Sequence, residues 1–181
     1  MINLNKNLAQ TLFLDRDGVI NEERRNDYVK NISEFVFIEG ALEAIAKLSG
    51  KFRNIFIVTN QRGVGRNIMS EEDLDKIHKH MMNRIVECGG SISKIYACTD
   101  LKYDSENRKP NIGMGLAAQK DFPEIDFSRS IMVGNSKSDI QFGENLGMFT
   151  VLVGNKYTQQ DEIYNNISAY YSNLYQFALS L

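Results

Sequence analysis

The stretch "TLFLDRDGVI", residues 11–20, decides the fold. It begins with the apolar run Leu12-Phe13-Leu14, which is typical of a buried strand, and passes directly into charged residues. Asp15 and Asp17 are two positions apart, so in an extended chain both side chains lie on one side and that of Arg16 on the other. Converging carboxylates repel each other, and we therefore expect a cation between them. Oxygen ligands of this kind suit Mg²⁺.

Two adjacent carboxylates also suit phosphoryl transfer. One carboxylate can attack phosphorus and form an aspartyl-phosphate, and the other can protonate the leaving oxygen and later activate water. A helix cap or a turn is the alternative, since Asp and Gly are common in both. A calcium loop is not expected, because positions six and twelve counted from Asp15 hold Ile20 and Asn26, where that loop requires Gly and Glu.

Short β-rich runs alternate with helical patterns along the whole chain. The predicted strands are residues 11–15, 54–59, 94–98, 130–134 and 149–153. The predicted helices are residues 40–50, 70–88, 112–120, 137–147 and a last one from Ser172 to the end. This alternation predicts an α/β fold, with a central parallel sheet between helices, in a single domain covering residues 1–181. The polar segment 155–166 is predicted to be a flexible connection.

Three of the predicted strands run into polar clusters at their carboxyl ends, and the strand ending at Cys98 leads into a loop that contains Lys109. Ligands bind beyond the carboxyl ends of the strands in sheets of this kind. The Thr59 hydroxyl and the free N–H groups beside it can hold phosphoryl oxygens. Lys109 can offset charge on a transferring phosphoryl group. Asn135 and Asp139 supply oxygen ligands, although Asp139 equally suits the first turn of a helix. Taken alone, each cluster is also compatible with an ordinary turn.

Composition limits the possible partners. The chain has 181 residues with 21 Lys and Arg against 23 Asp and Glu, a net charge of −2. This balance argues against nucleic acid or a membrane surface as a partner but permits a small anionic substrate. Only two cysteines occur, and no stretch is typical of a signal peptide or a membrane span. We expect a cytoplasmic monomer. His78 and His80, two apart on a helix, are expected to be surface or packing residues.

The order of the four polar segments carries the strongest signal. A strand ending in D-x-D-G, a strand ending in T-N, a basic K-P turn and a G-x-x-x-x-D turn follow one another over about residues 10–153. This order resembles that of the haloacid dehalogenase superfamily of phosphatases. The resemblance implies a Rossmann-like three-layer sandwich without a large cap domain, and a magnesium-dependent phosphatase.

Longer segments point to a narrower group. The segments "DYVKNISEFVFIEG", "VTNQRGVGR" and "RKPNIGM" resemble those of the D-glycero-D-manno-heptose 1,7-bisphosphate 7-phosphatases. The related histidinol-phosphate phosphatases share several of these segments, but the D-Y-V element followed by F-x-F-I-x-G favours the heptose group. The resemblance implies a sugar-phosphate substrate, and histidinol phosphate is the alternative.

The resemblance also implies a role for each site residue. Asp15 is the nucleophile and Asp17 the acid and base. Mg²⁺ binds the Asp15 carboxylate, the main-chain carbonyl of Asp17 and the side chain of Asn135. Thr59 and Lys109 stabilise the phosphoryl group. The substrate pocket is lined by five further side chains: Asn60, Gln61, Arg108, Asp27 and Tyr28.

The sequence departs from the family pattern at the metal site. Position 135 is Asn, where these phosphatases usually have Asp, so one ligand lacks its charge. Asp139 is therefore included among the candidate metal ligands, as a compensating carboxylate. A weakly active or inactive phosphate-binding relative is a further alternative.

The zinc loop of the related families is the second departure. The segment "CTDLKYDSENRKP", residues 98–110, retains only Cys98 and has Asp100 where the family has His. One thiol and a few carboxylates do not form a tetrahedral structural zinc site. We predict that the purified protein contains no stoichiometric zinc by elemental analysis and that the loop is stabilised in another way. One zinc ion per chain would contradict this prediction.

Overall fold

The computed structural model describes residues 10–181, and a parallel sheet of six strands forms its centre. The strands are β1 (Thr11–Leu14), β2 (Asn54–Asn60), β3 (Lys94–Cys98), β4 (Ser130–Gly134), β5 (Phe149–Val153) and β6 (Ala169–Tyr171). Their order in the sheet is β3-β2-β1-β4-β5-β6, with every neighbouring pair parallel. The predicted α/β class is confirmed.

Six α-helices connect or follow the strands. They are α1 (Ala41–Ser49), α2 (Arg62–Gly65), α3 (Glu71–Glu87), α4 (Gly113–Asp121), α5 (Lys137–Asn145) and α6 (Leu174–Ser180). Three short 3-10 helices span Ile32–Glu34, Phe127–Arg129 and Glu162–Asn166. Among residues 10–181 no separate cap domain is inserted, and no helix is long and apolar enough to cross a membrane.

The structure adds two elements to the predicted ones. Strand β6 and the single-turn helix α2 were not predicted, because each is too short to show a hydrophobic period. The segment 155–166 is also more regular than expected, since its second half forms the 3-10 helix Glu162–Asn166 with Ile163 buried. The five predicted strands and five predicted helices agree with the structure to within two residues at each end.

Strand β1 is buried on both faces, as a central strand of a parallel sheet must be. Leu12 and Leu14 pack with helices α1, α3 and α6 on one side, while Phe13 packs with α4 and α5 on the other. Helices therefore cover both faces of the sheet, and its three central strands, β2, β1 and β4, end side by side. The polar segments that follow β1, β2 and β4 meet at that edge.

Helix α5 lies unusually close to the sheet because Gly143 has no side chain. A Cβ atom there would lie 2.7 Å from Thr150 Cγ2 and 2.9 Å from Met132 Cβ, both on the strands below. This approach matters for function because the first turn of α5 carries Asp139.

We predict that Gly143→Ala destabilises the protein by up to about 2 kcal/mol, because overpacking costs about 1–3 kcal/mol and the gain in helix propensity returns about 1 kcal/mol. Gly50→Ala is the matched control, since its Cβ would meet only a backbone oxygen at 3.6 Å and the backbone φ is −81°. Urea unfolding measures both variants. An unchanged stability of Gly143→Ala would contradict the close packing described above.

Candidate active site

Lys109 lies at the centre of the site with its ammonium group fully paired. Its Nζ atom donates to Asp15 Oδ1 at 2.8 Å and to the main-chain carbonyl of Val58 at 2.7 Å, and it lies 2.6 Å from Asp139 Oδ1. An ammonium group has three N–H donors, so these partners use all of them. Lys109 is only 2% exposed. One buried cation thus joins the ends of β1 and β2 to helix α5.

Asn60 holds the backbone of Lys109 in place. Its Oδ1 atom accepts the Lys109 N–H at 3.1 Å, and its Nδ2 donates to the Lys109 carbonyl at 3.1 Å. The side chain predicted to line the substrate pocket therefore ties the K-P turn to the end of β2.

Asp139 is fixed by the start of helix α5. Its Oδ2 atom accepts hydrogen bonds from the N–H groups of Asn135 and Ser136 and from the Ser136 hydroxyl, at 3.2, 3.0 and 2.6 Å. Gly134 is required beneath it, because a Cβ atom there would lie 2.1 Å from Asp139 Cβ. Both Asp139 oxygens have partners, and this geometry favours orienting Lys109 over binding a metal ion.

The charges around Lys109 do not balance. The Asp15 and Asp139 carboxylates share one ammonium group, which leaves one negative charge uncompensated. Burial and the Asp139 carboxylate raise the pKa of Asp15 from 3.8 to about 7, although Lys109 acts in the opposite direction. Burial alone would lower the pKa of Lys109, but Asp139 and Asp15 raise it above its usual value. The site therefore favours a second cation beside Asp15.

Asp17 is held by three donors. Its carboxylate accepts from Arg16 Nη2 at 3.0 Å, from Asn21 Nδ2 at 2.9 Å and from Gln61 Nε2 at 2.8 Å. An extended chain would place Arg16 on the side opposite Asp17, but β1 ends at Leu14 and the chain bends at Arg16, so that condition is not met. Burial would raise the pKa of Asp17, but Arg16, Asn21 and Gln61 together hold it below its usual value.

Gln61 connects Asp17 to Thr59. Its amide nitrogen donates to Asp17 Oδ2 and, at 2.8 Å, to the Thr59 hydroxyl, while its oxygen accepts from Arg16 Nη2 at 3.0 Å. Because these bonds occupy both ends of its amide, Gln61 orients Asp17 and Thr59.

The donor atoms for a magnesium ion come from the ends of β1 and β4. The Asp15 carboxylate, the Asp17 carbonyl and the Asn135 side-chain oxygen are all hard oxygen ligands, and the uncompensated negative charge favours a cation. Within the described residues, no group of three or more His, Cys, Asp and Glu side chains could hold a metal ion. The residues present fit Mg²⁺ only through a mixed set of carboxylate, main-chain and amide oxygens.

A cavity of about 130 Å³ opens beside Asp17. Four of the five predicted substrate-binding residues line it: Asp27, Tyr28, Asn60 and Gln61. A larger cavity of about 720 Å³ adjoins it and begins at Gly18 and Asn135, and Glu23 lines both cavities. The site is therefore open to solvent on the side of the segment that follows β1.

Asp27 is an exposed carboxylate within this opening. It accepts hydrogen bonds from Lys30 at 2.7 Å and from Arg24 at 3.3 Å. The bond from Lys30 is the largest cause that lowers the pKa of Asp27, from 3.8 to about 2. Asp27 is therefore an ionised carboxylate whose charge is paired with Lys30 and Arg24.

Arg108 lies apart from the small cavity, in the loop before Lys109. Its Nη1 atom donates to the Leu101 carbonyl at 3.1 Å, and its guanidinium lies 4.5 Å from the centre of the Tyr103 ring. The Arg62 guanidinium lies 5.3 Å from the same ring. Two cations therefore flank one exposed tyrosine.

The loop that replaces the zinc loop is held by hydrogen bonds. The Ser105 hydroxyl donates to Asp100 Oδ2, and the Cys98 sulfur lies 3.9 Å from the same oxygen. Asn111 Nδ2 donates to the Ser105 carbonyl at 2.8 Å. These contacts show how the loop is stabilised, and they use Cys98 and Asp100, which stand at two of the zinc-ligand positions that the resemblance implies.

Sequence reasoning missed Arg16 and His78. Arg16 is 1% exposed, and its Nη1 atom lies 3.2 Å from His78 Nε2 on helix α3. Burial, and then the nearby Arg16 charge, lower the pKa of His78 from 6.5 to about 4, so the neutral imidazole accepts the hydrogen bond. No residue pattern signals this pair, because an arginine between two aspartates gives no sign of burial and the partners are 62 residues apart.

Sequence comparison places this site in a known group. Residues 10–164 match the family described as polynucleotide kinase 3 phosphatase. A Burkholderia mallei protein named D-glycero-alpha-D-manno-heptose-1,7-bisphosphate 7-phosphatase is 40% identical over 152 residues, covering 80% of this chain and 79% of that protein. The chain belongs to the haloacid dehalogenase superfamily of phosphatases.

Other relatives agree in sequence and in structure. A Vibrio cholerae protein named as the beta-heptose form of the same phosphatase is 36% identical over 83% of this chain and 86% of its own length. The crystal structure of D,D-heptose 1,7-bisphosphate phosphatase from B. bronchiseptica, complexed with magnesium and phosphate, has a TM-score of 0.82 at 26% identity. It covers 94% of this chain and 97% of that one.

We predict that His78 makes stability depend on pH. The folded-state pKa of about 4 lies below the unfolded value of 6.5. The unfolded chain therefore binds more protons between these values, and stability falls as pH falls from 6.5 to 4. The loss attributable to His78 is at most about 3 kcal/mol. Urea unfolding of the wild type and of His78→Gln, which keeps an acceptor for Arg16, measures it. Identical pH slopes for the two proteins would contradict the assignment.

Proposed function

We propose that this protein is a magnesium-dependent phosphatase that removes the 7-phosphate of D-glycero-D-manno-heptose 1,7-bisphosphate through an aspartyl-phosphate on Asp15. One observation carries the proposal: the buried Lys109 ammonium touches Asp15 and Asp139 at the strand edge where Asp17 is also held. The names of the relatives support the substrate. We also propose that the protein acts as a monomer in the cytoplasm, where its two free cysteines remain reduced.

The metal ion would be held by the Asp15 carboxylate, the Asp17 carbonyl and Asn135 Oδ1. When bound, Mg²⁺ supplies positive charge that offsets the negative charge of the phosphoryl oxygens. Lys109 supplies the other positive charge, and the Thr59 hydroxyl donates a hydrogen bond to the phosphoryl group.

In the first step, an Asp15 carboxylate oxygen attacks the phosphorus atom and the bond from phosphorus to the sugar oxygen breaks. Asp17 gives its proton to the leaving sugar oxygen. The donors around Asp17 favour its carboxylate in the free protein, and the negative charge of the arriving phosphate favours protonation. The products of this step are the dephosphorylated sugar position and a phosphorylated Asp15.

In the second step, Asp17 acts as a base. It accepts a proton from a water molecule whose oxygen attacks the phosphorus atom of the aspartyl-phosphate. The bond between phosphorus and Asp15 breaks, and phosphate leaves with the carboxylate restored. Asp15 thus divides hydrolysis into two steps that share the same stabilising charges.

The remaining site residues divide into two groups in this proposal. Asp27, Tyr28 and Arg108 contact the substrate, the first two near the sugar hydroxyl groups and Arg108 at a distant anionic group. Asn60 and Gln61 support the reaction by orienting Lys109, Asp17 and Thr59, because their amide groups already have partners.

A second candidate is a polynucleotide 3′-phosphatase, which the description of the matching family favours. The net charge of −2 speaks against this activity, because nucleic-acid binding depends on basic surfaces. Histidinol-phosphate phosphatase is the other enzymatic alternative, and Asn135 favours a weakly active phosphate-binding relative.

We predict that Asp15→Asn lowers turnover of heptose 1,7-bisphosphate by at least about 1,000-fold, because the nucleophile is lost. Phosphate release in the presence of Mg²⁺ measures the effect. Asp75→Asn, an identical change at an exposed position of helix α3, is the matched control and should keep full activity. Circular dichroism establishes that both variants are folded.

The same assay on the wild type separates the alternatives. Heptose 1,7-bisphosphate should exceed both histidinol phosphate and a 3′-phosphorylated oligonucleotide in kcat/KM by at least about 10-fold. A preference for either competitor would replace the proposed substrate. Absence of hydrolysis of every substrate at high Mg²⁺ would favour the phosphate-binding alternative.

A further inference from the structure

Glu23 makes a contact that links it to the metal site. Asn135 Nδ2 donates to Glu23 Oε2 at 3.0 Å, across 112 positions of sequence. Asn135 is only 6% exposed, so this bond lies at the inner end of the larger cavity. Position 23 lies outside the four sequence motifs.

The contact fixes which end of the Asn135 amide faces the metal position. An ionised carboxylate can only accept hydrogen bonds, so the amide end that faces Glu23 is the nitrogen. The nitrogen end also packs on Gly18, where a Cβ atom would lie 1.9 Å from Nδ2 and 3.2 Å from Oδ1. The oxygen end, which alone can bind a cation, is therefore the end left for the metal ion.

We propose that Glu23 is a positioning residue for the magnesium site. It holds the Asn135 amide so that Oδ1 is presented to the cation, and it supplies beside that amide the negative charge that Asn135 lacks. This inference rests on the proposed function, because it concerns the same metal site. It makes Glu23 and Asn135 a matched pair that takes the place of a single aspartate.

Lys156 neutralises Glu23 only weakly. Its Nζ atom lies 3.2 and 3.3 Å from the two Glu23 oxygens, but both side chains are substantially exposed. Exposed ion pairs of this kind contribute little, so the Glu23 charge remains available to a cation at the site.

The contact between Glu23 and Asn135 also predicts the effect of replacing Asn135 by the aspartate that these phosphatases usually have at this position. An aspartate at position 135 would place a second carboxylate against Glu23 at hydrogen-bond distance, without a proton to share between them. Asn135→Asp alone is therefore unfavourable in the metal-free protein. A glutamine at position 23 would remove this repulsion, because its amide can donate to the new carboxylate.

Mn²⁺ binding to the purified protein, followed by electron paramagnetic resonance, tests the metal role without an activity readout. Glu23→Ala should weaken Mn²⁺ affinity by about 10-fold, the effect expected from losing a partner that orients a ligand. Glu23→Gln keeps an acceptor for Asn135 Nδ2 and should recover part of this loss. Glu22→Gln, which removes a neighbouring exposed charge in the same cavity, is the matched control and should bind as the wild type does.

Thermal unfolding of the metal-free protein tests the pair independently. Asn135→Asp should lower the Tm by about 3 °C or more in the wild-type background, and by less than half as much in the Glu23→Gln background. Equal Tm losses in the two backgrounds, or wild-type Mn²⁺ affinity in Glu23→Ala, would overturn the inference. A wild-type protein that binds no Mn²⁺ would instead overturn the proposed function, and with it the metal role of Glu23.

Discussion

The buried ammonium group of Lys109 is the interaction on which the site depends. A charge removed from water is tolerated only when it is paired and fully hydrogen-bonded, and Lys109 meets this condition with Asp15, Asp139 and the Val58 carbonyl. Those partners come from three parts of the chain that are distant in sequence. The need to satisfy one cation therefore fixes the relative positions of β1, β2 and α5 at the edge where chemistry is proposed.

The same arrangement links stability to function. Asp15 and Asp139 together carry two negative charges when ionised, and Lys109 carries one positive charge. One negative charge in the metal-free site is therefore uncompensated, and this favours binding of a cation. Burial and the nearby Asp139 carboxylate raise the pKa of Asp15, which means that the site disfavours the Asp15 negative charge when no further cation is present. A magnesium ion would meet it and at the same time favour the ionised carboxylate, which is the form that attacks phosphorus. The fold thus preorganises the oxygen ligands and the negative charge that would bind the metal ion.

The sequence predicted five of the six strands and the meeting of the four motifs, because apolar runs define strands and parallel strands end at one edge of the sheet. It could not predict which polar groups would use one another as partners. Asn60 and Gln61 suit a substrate pocket by position, yet their amides are bound to Lys109, Asp17 and Thr59. The burial of Arg16 against His78 and the bond from Asn135 to Glu23 depend on packing between distant segments, which no local pattern records.

The formation of a phosphorylated Asp15 is the central claim, and trapping that species tests it most directly. The protein would be quenched in acid during turnover of heptose 1,7-bisphosphate radiolabelled at the 7-phosphate, and the labelled peptide mapped. The account predicts label on Asp15, released by hydroxylamine, and no label in Asp15→Asn, which has no carboxylate there to form the aspartyl-phosphate. Rapid phosphate release with no label on the protein, or label on a different residue, would contradict it.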